Sequence, residues 1–358
     1  KELDAAKEAG LKVSLREDPK LGTVLVFEDQ ARFHPIKYLN GLAKAVIKAG
    51  GKIYEHSHVE KVDFKKHLIT LSNKVQIRAS QIVTATNAPM FSSLKMHFKL
   101  NPQRSYMIGI KVPKDTIGKQ LMWDTDEPYH YVRSQTLDDQ HDILLVGGED
   151  HRVGEEADGN PYLNLEKWTN KYFNVAEYPI VFFWSGQILE PIDYLAYIGR
   201  NPKSSNAYMV SGDSGNGLTH GTIAAILITD LISDKRNKYT KLYNPNRLPF
   251  RAIKNLLSNV LASNKAYAKY VLPQMGELPN KGEGKIVQNG LEKIAVYRDE
   301  NNNVKKCSGI CPHLGAVLKF NSIAKTWDCG AHGSRFDLDG NILNGPASSK
   351  LKCKHHYN

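Results

Sequence analysis

The stretches CPHLGA (311–316) and WDCGAHGSRFDLDGNILNGPA (327–347) decide the reading of this chain. They set Cys311 and His313 as C-x-H and, after fifteen intervening residues, Cys329 and His332 as C-x-x-H. Each half offers one thiolate and one imidazole. Two such halves can clasp a binuclear iron–sulfur cluster, with both cysteines on one iron and both histidines on the other. Gly315, Gly330 and Gly333 sit where tight loops must curl their amides around sulfide. Pro346, after Gly345, pins a third shielding loop, and Ser334 is among the donors expected around the sulfurs. The competing reading is a structural zinc ion, which accepts the same donors but favours paired C-x-x-C and H-x-H-type spacings.

This pattern resembles the Rieske [2Fe–2S] domain family. The resemblance implies an all-β domain in which Cys311 and Cys329 are thiolate ligands and His313 and His332 imidazole ligands. Many Rieske domains staple their two ligand loops with an extra cysteine pair, at places that here read Ala316 and Ala331. The resemblance is therefore to the ferredoxin-like and oxygenase-associated branch. Of the other cysteines, Cys307 reads as a small core residue and Cys353 receives no role. Four cysteines without a disulfide framework fit a reducing compartment.

A length of 358 residues predicts two domains with ample core. No run of eighteen apolar residues and no signal-peptide pattern is found, so a membrane span is not expected and the cytoplasm is the expected location. The net charge of +11 comes from scattered lysines without the aromatic-interleaved basic motif of a nucleic-acid module. A solvated surface accounts for it, with attraction to an acidic redox partner protein as the functional version.

Along the chain, residues 1–9 read as a helix ending at Gly10, 23–27 as a strand and 38–49 as a helix with apolar Leu39, Leu42, Ala43 and Val46. A strand KIYEH (52–56) and a β-rich stretch 69–89 follow. Short β runs at 96–113, 120–135 and 141–154 predict an antiparallel sheet. Within it PYHYVR (128–133) puts Tyr129, Tyr131 and Arg133 on one face and His130 on the other. That face suits a pocket for an anionic small-molecule substrate; an ordinary sheet surface with one satisfied histidine is the plainer alternative. Ile253, Leu256, Leu257, Val260 and Leu261 have the spacing of an amphipathic helix, docking one domain on the other or, with its basic positions, lying on a membrane. From 272 the runs KIVQ, EKIAVYRD and VKKCSG alternate like strands of a small barrel, and KLKCKHHYN closes the chain as a disordered tail.

A second resemblance rests on FHPIKYLNGLA (33–43), GGKIYEHSHVEKV (50–62), QIVTATNAP (81–89), WSGQILEPIDYLAYIGRNP (184–202) and YMVSGDSGNGLTHGTIAAILITDLI (208–232). These look like FAD-dependent oxidoreductases of the D-amino-acid-oxidase and glycine-oxidase type. The residues alone give a strand, a glycine turn that lets backbone approach a flat ligand, and a helix N-terminus that attracts anions. The resemblance adds that the Val59 backbone lies beside adenine. It also puts Asp213 near the ribityl–pyrophosphate part and Gly217, Leu218 and Thr219 near the isoalloxazine, with Gly212, Gly215 and Asn216 as further cofactor-binding positions. The G-x-G-x-x-G unit such proteins carry near their N-terminus does not occur in the sequence, so an N-terminal portion with the first βαβ is expected to be missing. FAD is accordingly expected of the full-length protein rather than of this chain alone.

The expected architecture is α/β plus β. A partial FAD-dependent lobe spans 1–243, with its substrate-domain sheet at about 95–185; a linker with a helix spans 244–271; an all-β Rieske domain spans 272–358. The expected function is electron passage between flavin and the [2Fe–2S] cluster, with oxidation of a small amine or amino-acid-like substrate. The alternative is a non-enzymatic Rieske electron carrier whose flavoprotein lobe no longer binds FAD. Catalytic candidates are His220, Tyr129 and Arg133. A ring dioxygenase is excluded, because only eleven residues follow Ala347, too few for a mononuclear iron site.

Overall fold

The computed structural model describes residues 1–268, 278–290 and 292–354, in two compact units. The first holds 1–56, 106–149 and 159–184; the second holds 57–105, 150–158 and 185–358. No described helix is long and apolar enough to cross a membrane. The tail residues His355 and His356 lie outside the described residues.

In the first unit, strands Val13–Asp18 and Gly22–Phe27 form an antiparallel hairpin after helix Glu2–Glu8. Helix Pro35–Lys48 starts with Pro at its first position, and His34 accepts the Lys37 amide through Nδ1. Its apolar positions Leu39, Leu42 and Val46 stand about half exposed, and KIYEH forms no strand. A five-stranded sheet, partly in each unit, has the order Ile180–Pro191, Leu100–Pro113, His141–Arg152, His130–Thr136, Leu121–Trp123, and its last three strands pair antiparallel as expected. Along His130–Thr136 the expected alternation holds: His130, Val132 and Ser134 are buried while Tyr131 and Arg133 are half-buried. Helix Pro161–Phe173 was not expected. Asn160 caps it by accepting the Tyr162 amide, and Asn174 stops it in the left-handed region.

The second unit contains the antiparallel strands Val59–Asp63, Leu68–Leu71 and Gln76–Arg78. A further sheet orders Tyr197–Arg200, Ala207–Ser211 and Ile82–Thr84, the last two parallel. Ala207–Ser211 leads through the glycine turn into helix Gly217–Ile232, which packs Ala224, Leu227 and Ile228 against Ala196, Ile198 and Tyr208. Two four-stranded antiparallel sheets carry the cysteine–histidine loops. One is Glu283–Asn289, Glu292–Arg298, Val304–Ser308 and Cys353–Lys354; the other is Lys319–Asn321, Thr326–Asp328, Arg335–Phe336 and Ile342–Asn344. Trp327, Phe336, Leu318 and Leu351 fill the core between them.

Three sequence expectations are corrected here. Cys307 and Cys353 are register partners on adjacent antiparallel strands and form a disulfide, so neither is a free core thiol. Residues 96–98 belong to a short helix, Leu94–Phe98, and not to the following strand; the Met96 amide closes a turn on the Ser93 carbonyl at 2.9 Å and the Lys99 amide on that of Met96 at 3.2 Å. Helix Ile253–Ala268 buries a different face from the one its apolar spacing suggested. Leu257 and Leu261 are exposed, while Asn259, Ser263 and Ala266 are buried. The polar ones do the docking: Asn255 donates to the Ile192 carbonyl at 2.8 Å, Asn259 to that of Phe98 at 3.3 Å, and Ser263 to that of Ala331 at 2.9 Å. Open carbonyls at loop ends thus select the buried face.

One ion pair fixes this unit from within. Arg104 Nη2 meets Asp328 Oδ2 at 2.6 Å with both side chains almost fully buried. Thr326 and Asn321 also donate to Asp328, and Arg104 reaches Ser185 Oγ. Removing Arg104 leaves the buried Asp328 carboxylate only its looser contact with Arg335, whose Nε lies 3.6 Å from Oδ1, so most of the charge compensation is lost. Arg104→Met is therefore expected to destabilise the protein by about 3–5 kcal/mol in chemical denaturation, whereas Lys12→Met, which breaks an exposed pair with Asp29, costs at most about 1 kcal/mol.

Candidate functional site

The two cysteine–histidine loops are built alike. The Cys311 amide donates to the Ala316 carbonyl and the Gly315 amide to the Cys311 carbonyl, at 2.8 and 3.0 Å. In the second loop the Cys329 amide donates to Ser334 and that of Gly333 to Cys329, at 2.8 and 2.9 Å. Each loop reverses at the fourth residue after its cysteine, and there Gly315 and Gly333 have φ of +81° and +88°, which only glycine adopts without strain. The reversal turns the following amides inward. Those of His313 and Leu314 donate to the Cys311 sulfur, and those of Ala331 and His332 to Cys329. The Ser334 hydroxyl also donates to Cys311 and accepts the Ala347 amide at 3.0 Å, which ties in the third loop.

Cys311 and Cys329 are free, buried and hydrogen-bonded to each other. That bond, with the backbone amides, holds Cys311 below the ordinary thiol range, while the same bond and burial raise Cys329. The imidazoles of His313 and His332 meet edge-on with centroids 5.2 Å apart. Burial pushes His313 down to about 4 and, with His313 beside it, His332 down to about 3, so both are neutral near pH 7. His313 Nδ1 and both ring nitrogens of His332 are buried without a hydrogen-bond partner. Buried ring nitrogens of this kind are fit to donate to a metal ion.

The thiols contact each other and the imidazoles contact each other, a pairing that suits two metal ions. A single tetrahedral zinc needs its donors about 3.3–3.8 Å apart, from Zn–N and Zn–S bond lengths. Among the described residues, the group of three or more ligand atoms lying within 4.8 Å of one another is Asp124, Asp126 and His130, not any three of these four. The donor set therefore fits a [2Fe–2S] cluster and not mononuclear zinc.

The glycine turn forms the second candidate site. Gly212 has φ +69°, and a Cβ there would fall 2.7 Å from Leu100 Cδ2 and 2.8 Å from Pro191 Cγ. Asp213 closes the turn, its carbonyl accepting the Asn216 amide at 2.9 Å. Asn216 makes no side-chain cap on helix Gly217–Ile232, and the Asp213 carboxylate lies against its first residue, where a Cβ on Gly217 would fall 2.6 Å from Oδ2. Gly215, Asn216, Gly217 and Thr219 are exposed, with Leu218 half-buried. This arrangement fits a phosphate or polarised ring oxygen of FAD. Val59, at the start of strand Val59–Asp63, is half-buried.

Other candidates are occupied structurally. His220 Nδ1 lies 3.1 Å from the Asp213 carbonyl and braces the turn. His130 stacks on Trp168 at 4.6 Å and contacts Asp124 and Glu149 through its two ring nitrogens, the satisfied-histidine alternative. Tyr129 and Tyr131 stack at 5.8 Å, Tyr131 covers Gly147, and Arg133 donates to the Phe33 carbonyl at 3.0 Å. Sequence reasoning missed His97, whose ring lies 4.5 Å from that of His313 and 5.3 Å from that of His332. Burial and both neighbours push His97 down to about 2. Tyr267, 6.4 Å from His332, is pushed up to about 12 by burial and the two cysteines. Nothing in local sequence marks either residue.

Fold and loops together place the chain in two protein families. The chain belongs to the FAD dependent oxidoreductase (DAO) family, whose model matches residues 2–231, and the Rieske [2Fe-2S] domain matches residues 268–355. The two families imply FAD and a [2Fe–2S] cluster. A relative from Bacillus subtilis (strain 168), YhfW, provisionally named as a Rieske 2Fe-2S iron-sulfur protein, is 29% identical over 92% of this chain, which spans 65% of that protein's length. Gamma-glutamylputrescine oxidoreductase of Escherichia coli (strain K12) is 23% identical over 65% of this chain and 55% of its own. Glycine oxidase from Geobacillus kaustophilus shares the fold, with TM-score 0.57 at 17% identity over 68% of this chain and 69% of its own.

Two outcomes are expected. Cys311→Ser and His332→Ala each abolish cluster incorporation, read as lost iron and lost visible absorbance. In cluster-free protein, the folded-state pKa values of His313 and His332 lie below the unfolded 6.5, so the unfolded chain binds more protons in acid. The melting temperature of cluster-free protein should thus fall as pH drops below about 6.5, the loss continuing to about pH 3, and change little above pH 7.

Proposed function

We infer that this chain is the greater part of an FAD-dependent oxidoreductase that passes electrons between flavin and a Rieske cluster. The observation that carries the inference is the pairing of two neutral, unpartnered imidazoles with two hydrogen-bonded thiols in twin amide-lined loops. Cys311 and Cys329 would hold one iron and His313 and His332 the other. When bound, FAD supplies a two-electron oxidation and the cluster one-electron carriage. Ser334 and the inward amides stabilise charge on the sulfurs, which favours the reduced cluster.

The turn 212–219 would hold FAD: Gly212 permits close approach of Leu100 and Pro191 behind it, and the uncapped helix start faces the ligand. Val59 would lie beside the adenine. The lobe boundaries proposed are 1–243, 244–271 and 272–358, although Ala266 and Tyr267 of the linking helix already pack in the Rieske core. For substrate we favour a small amine or amino-acid-like molecule, supported by the putrescine-derived substrate in the name of the Escherichia coli relative and by the glycine oxidase fold. Tyr129 and Arg133 remain candidates for its pocket, and a redox partner protein completes the circuit. The cytoplasm remains the proposed compartment, with the Cys307–Cys353 disulfide weighing against it.

The test is the visible spectrum of anaerobically purified protein before and after dithionite, with acid-released flavin measured. Flavin together with an iron–sulfur band bleached by dithionite is expected. A cluster without flavin, even after FAD is supplied to the full-length protein, would leave only an electron carrier.

A further inference from the structure

The histidine edge of a Cys2His2 cluster is the side from which His313 and His332 would face outward. Here the chain itself covers part of it, leaving His313 half-buried and His332 buried. Helix Leu94–Phe98 lays His97 against both imidazoles at 4.5 and 5.3 Å and Phe98 against His332 at 5.7 Å. The second ligand loop is held on several sides. Gln187 donates to the carbonyls of Gly333 and Gly345 at 2.6 and 3.2 Å, and Ser263 donates to Ala331 at 2.9 Å. Pro102 and Gly154 abut Gly333 and Gly330 so closely that a Cβ on Gly333 would fall 2.6 Å from Pro102 and one on Gly154 2.5 Å from the Gly330 Cα. With the buried Arg104–Asp328 pair next to Cys329, this is a fixed seat.

The same short segment reaches the other site. Leu100 lies three residues beyond His97, and its Cδ2 is the atom that a Cβ on Gly212 would strike at 2.7 Å. Glycine at 212 therefore brings the turn 212–219 into contact with Leu100, whose segment contacts both candidate iron-ligating imidazoles. Met96 and Leu100 are buried in one cluster with Leu189, Tyr197 and Met209, so the space between is filled.

We propose that residues His97–Leu100 are the electron route between the flavin turn and the cluster, with His97 as the contact to the imidazole edge. This rests on the reading of the two sites as flavin and iron–sulfur sites. Oxidation of an amine to an imine releases two electrons and two protons. The [2Fe–2S] group that Cys311, His313, Cys329 and His332 would hold would take those electrons from FAD one at a time across residues 97–100 and would hand each to a one-electron acceptor protein, while the two protons would go to water.

The experiment needs no flavin. Asn216→Cys in the iron-loaded chain is labelled with a ruthenium polypyridyl photoreductant, placing an electron donor on the turn, and cluster reduction after a laser flash is followed by absorbance. His97→Ala, which opens a gap against the imidazoles, should slow reduction several-fold, while His97→Phe, which fills it, should retain most of the rate. Leu100→Ala tests the other end and should also slow it, which keeps the proposal open to refutation if His97→Ala loses its cluster. A control label at Asn302→Cys, on an exposed turn, should report no change for any variant. Unchanged rates from position 216 in variants with intact iron content and electron paramagnetic resonance spectrum would overturn the route, as would equal slowing from position 302. An iron-free parent chain would instead overturn the proposed function, and it would be recognised before any flash.

Discussion

The Arg104–Asp328 ion pair is the constraint on which the second unit turns. Two charges sealed from water repay their desolvation only with close geometry and further hydrogen bonds, and such a pair adds little stability over apolar packing. Its value is positional. Asp328 precedes Cys329 directly, and Arg104 sits on the strand that follows helix Leu94–Phe98. Any slip between these segments would strand a buried charge, so the ligand loop and the helix that covers its histidine keep one register.

Within that frame the loops solve a local electrostatic problem. Sulfur ligands carrying negative charge in an apolar core need donors, and no arginine or lysine is spent on them. Twin reversals at Gly315 and Gly333 aim backbone amides at each sulfur, and Ser334 adds a hydroxyl. Neutral imidazoles complete the set. Nearby histidine and tyrosine rings cover part of the edge, His313 staying half-buried, and burial keeps His97 uncharged beside its two neighbours.

The glycine turn proposed for flavin uses the same devices in a different order. The strand Ala207–Ser211, paired in parallel with Ile82–Thr84, runs into a glycine with positive φ that reverses the chain into a helix N-terminus. Where the ligand loops turn amides toward sulfur, this turn leaves its helix start without a side-chain cap. The turn and the cluster are neighbours through Leu100 and His97, so one unit of structure carries both candidate redox sites.

The sequence by itself determined the chemistry-bearing loops. C-x-H and C-x-x-H with glycines at the fourth position after each cysteine encode local backbone geometry, and local geometry is what short patterns specify. Strand–turn–helix at 207–232 and the alternation of His130 through Ser134 were legible for the same reason: period and turn chemistry act over a few residues. Tertiary structure alone decided what lies far apart in the chain. Cys307 and Cys353 are separated by 46 residues and meet only because their strands pair. Helix Ile253–Ala268 buries Asn259 and Ser263 instead of its leucines because distant carbonyls of Phe98 and Ala331 needed donors. His97 lies more than two hundred residues from the histidines it touches, on a helix of five residues with no periodicity to read. Hydrogen bonds and ring contacts across such separations depend on the finished register of sheets, which no local pattern contains.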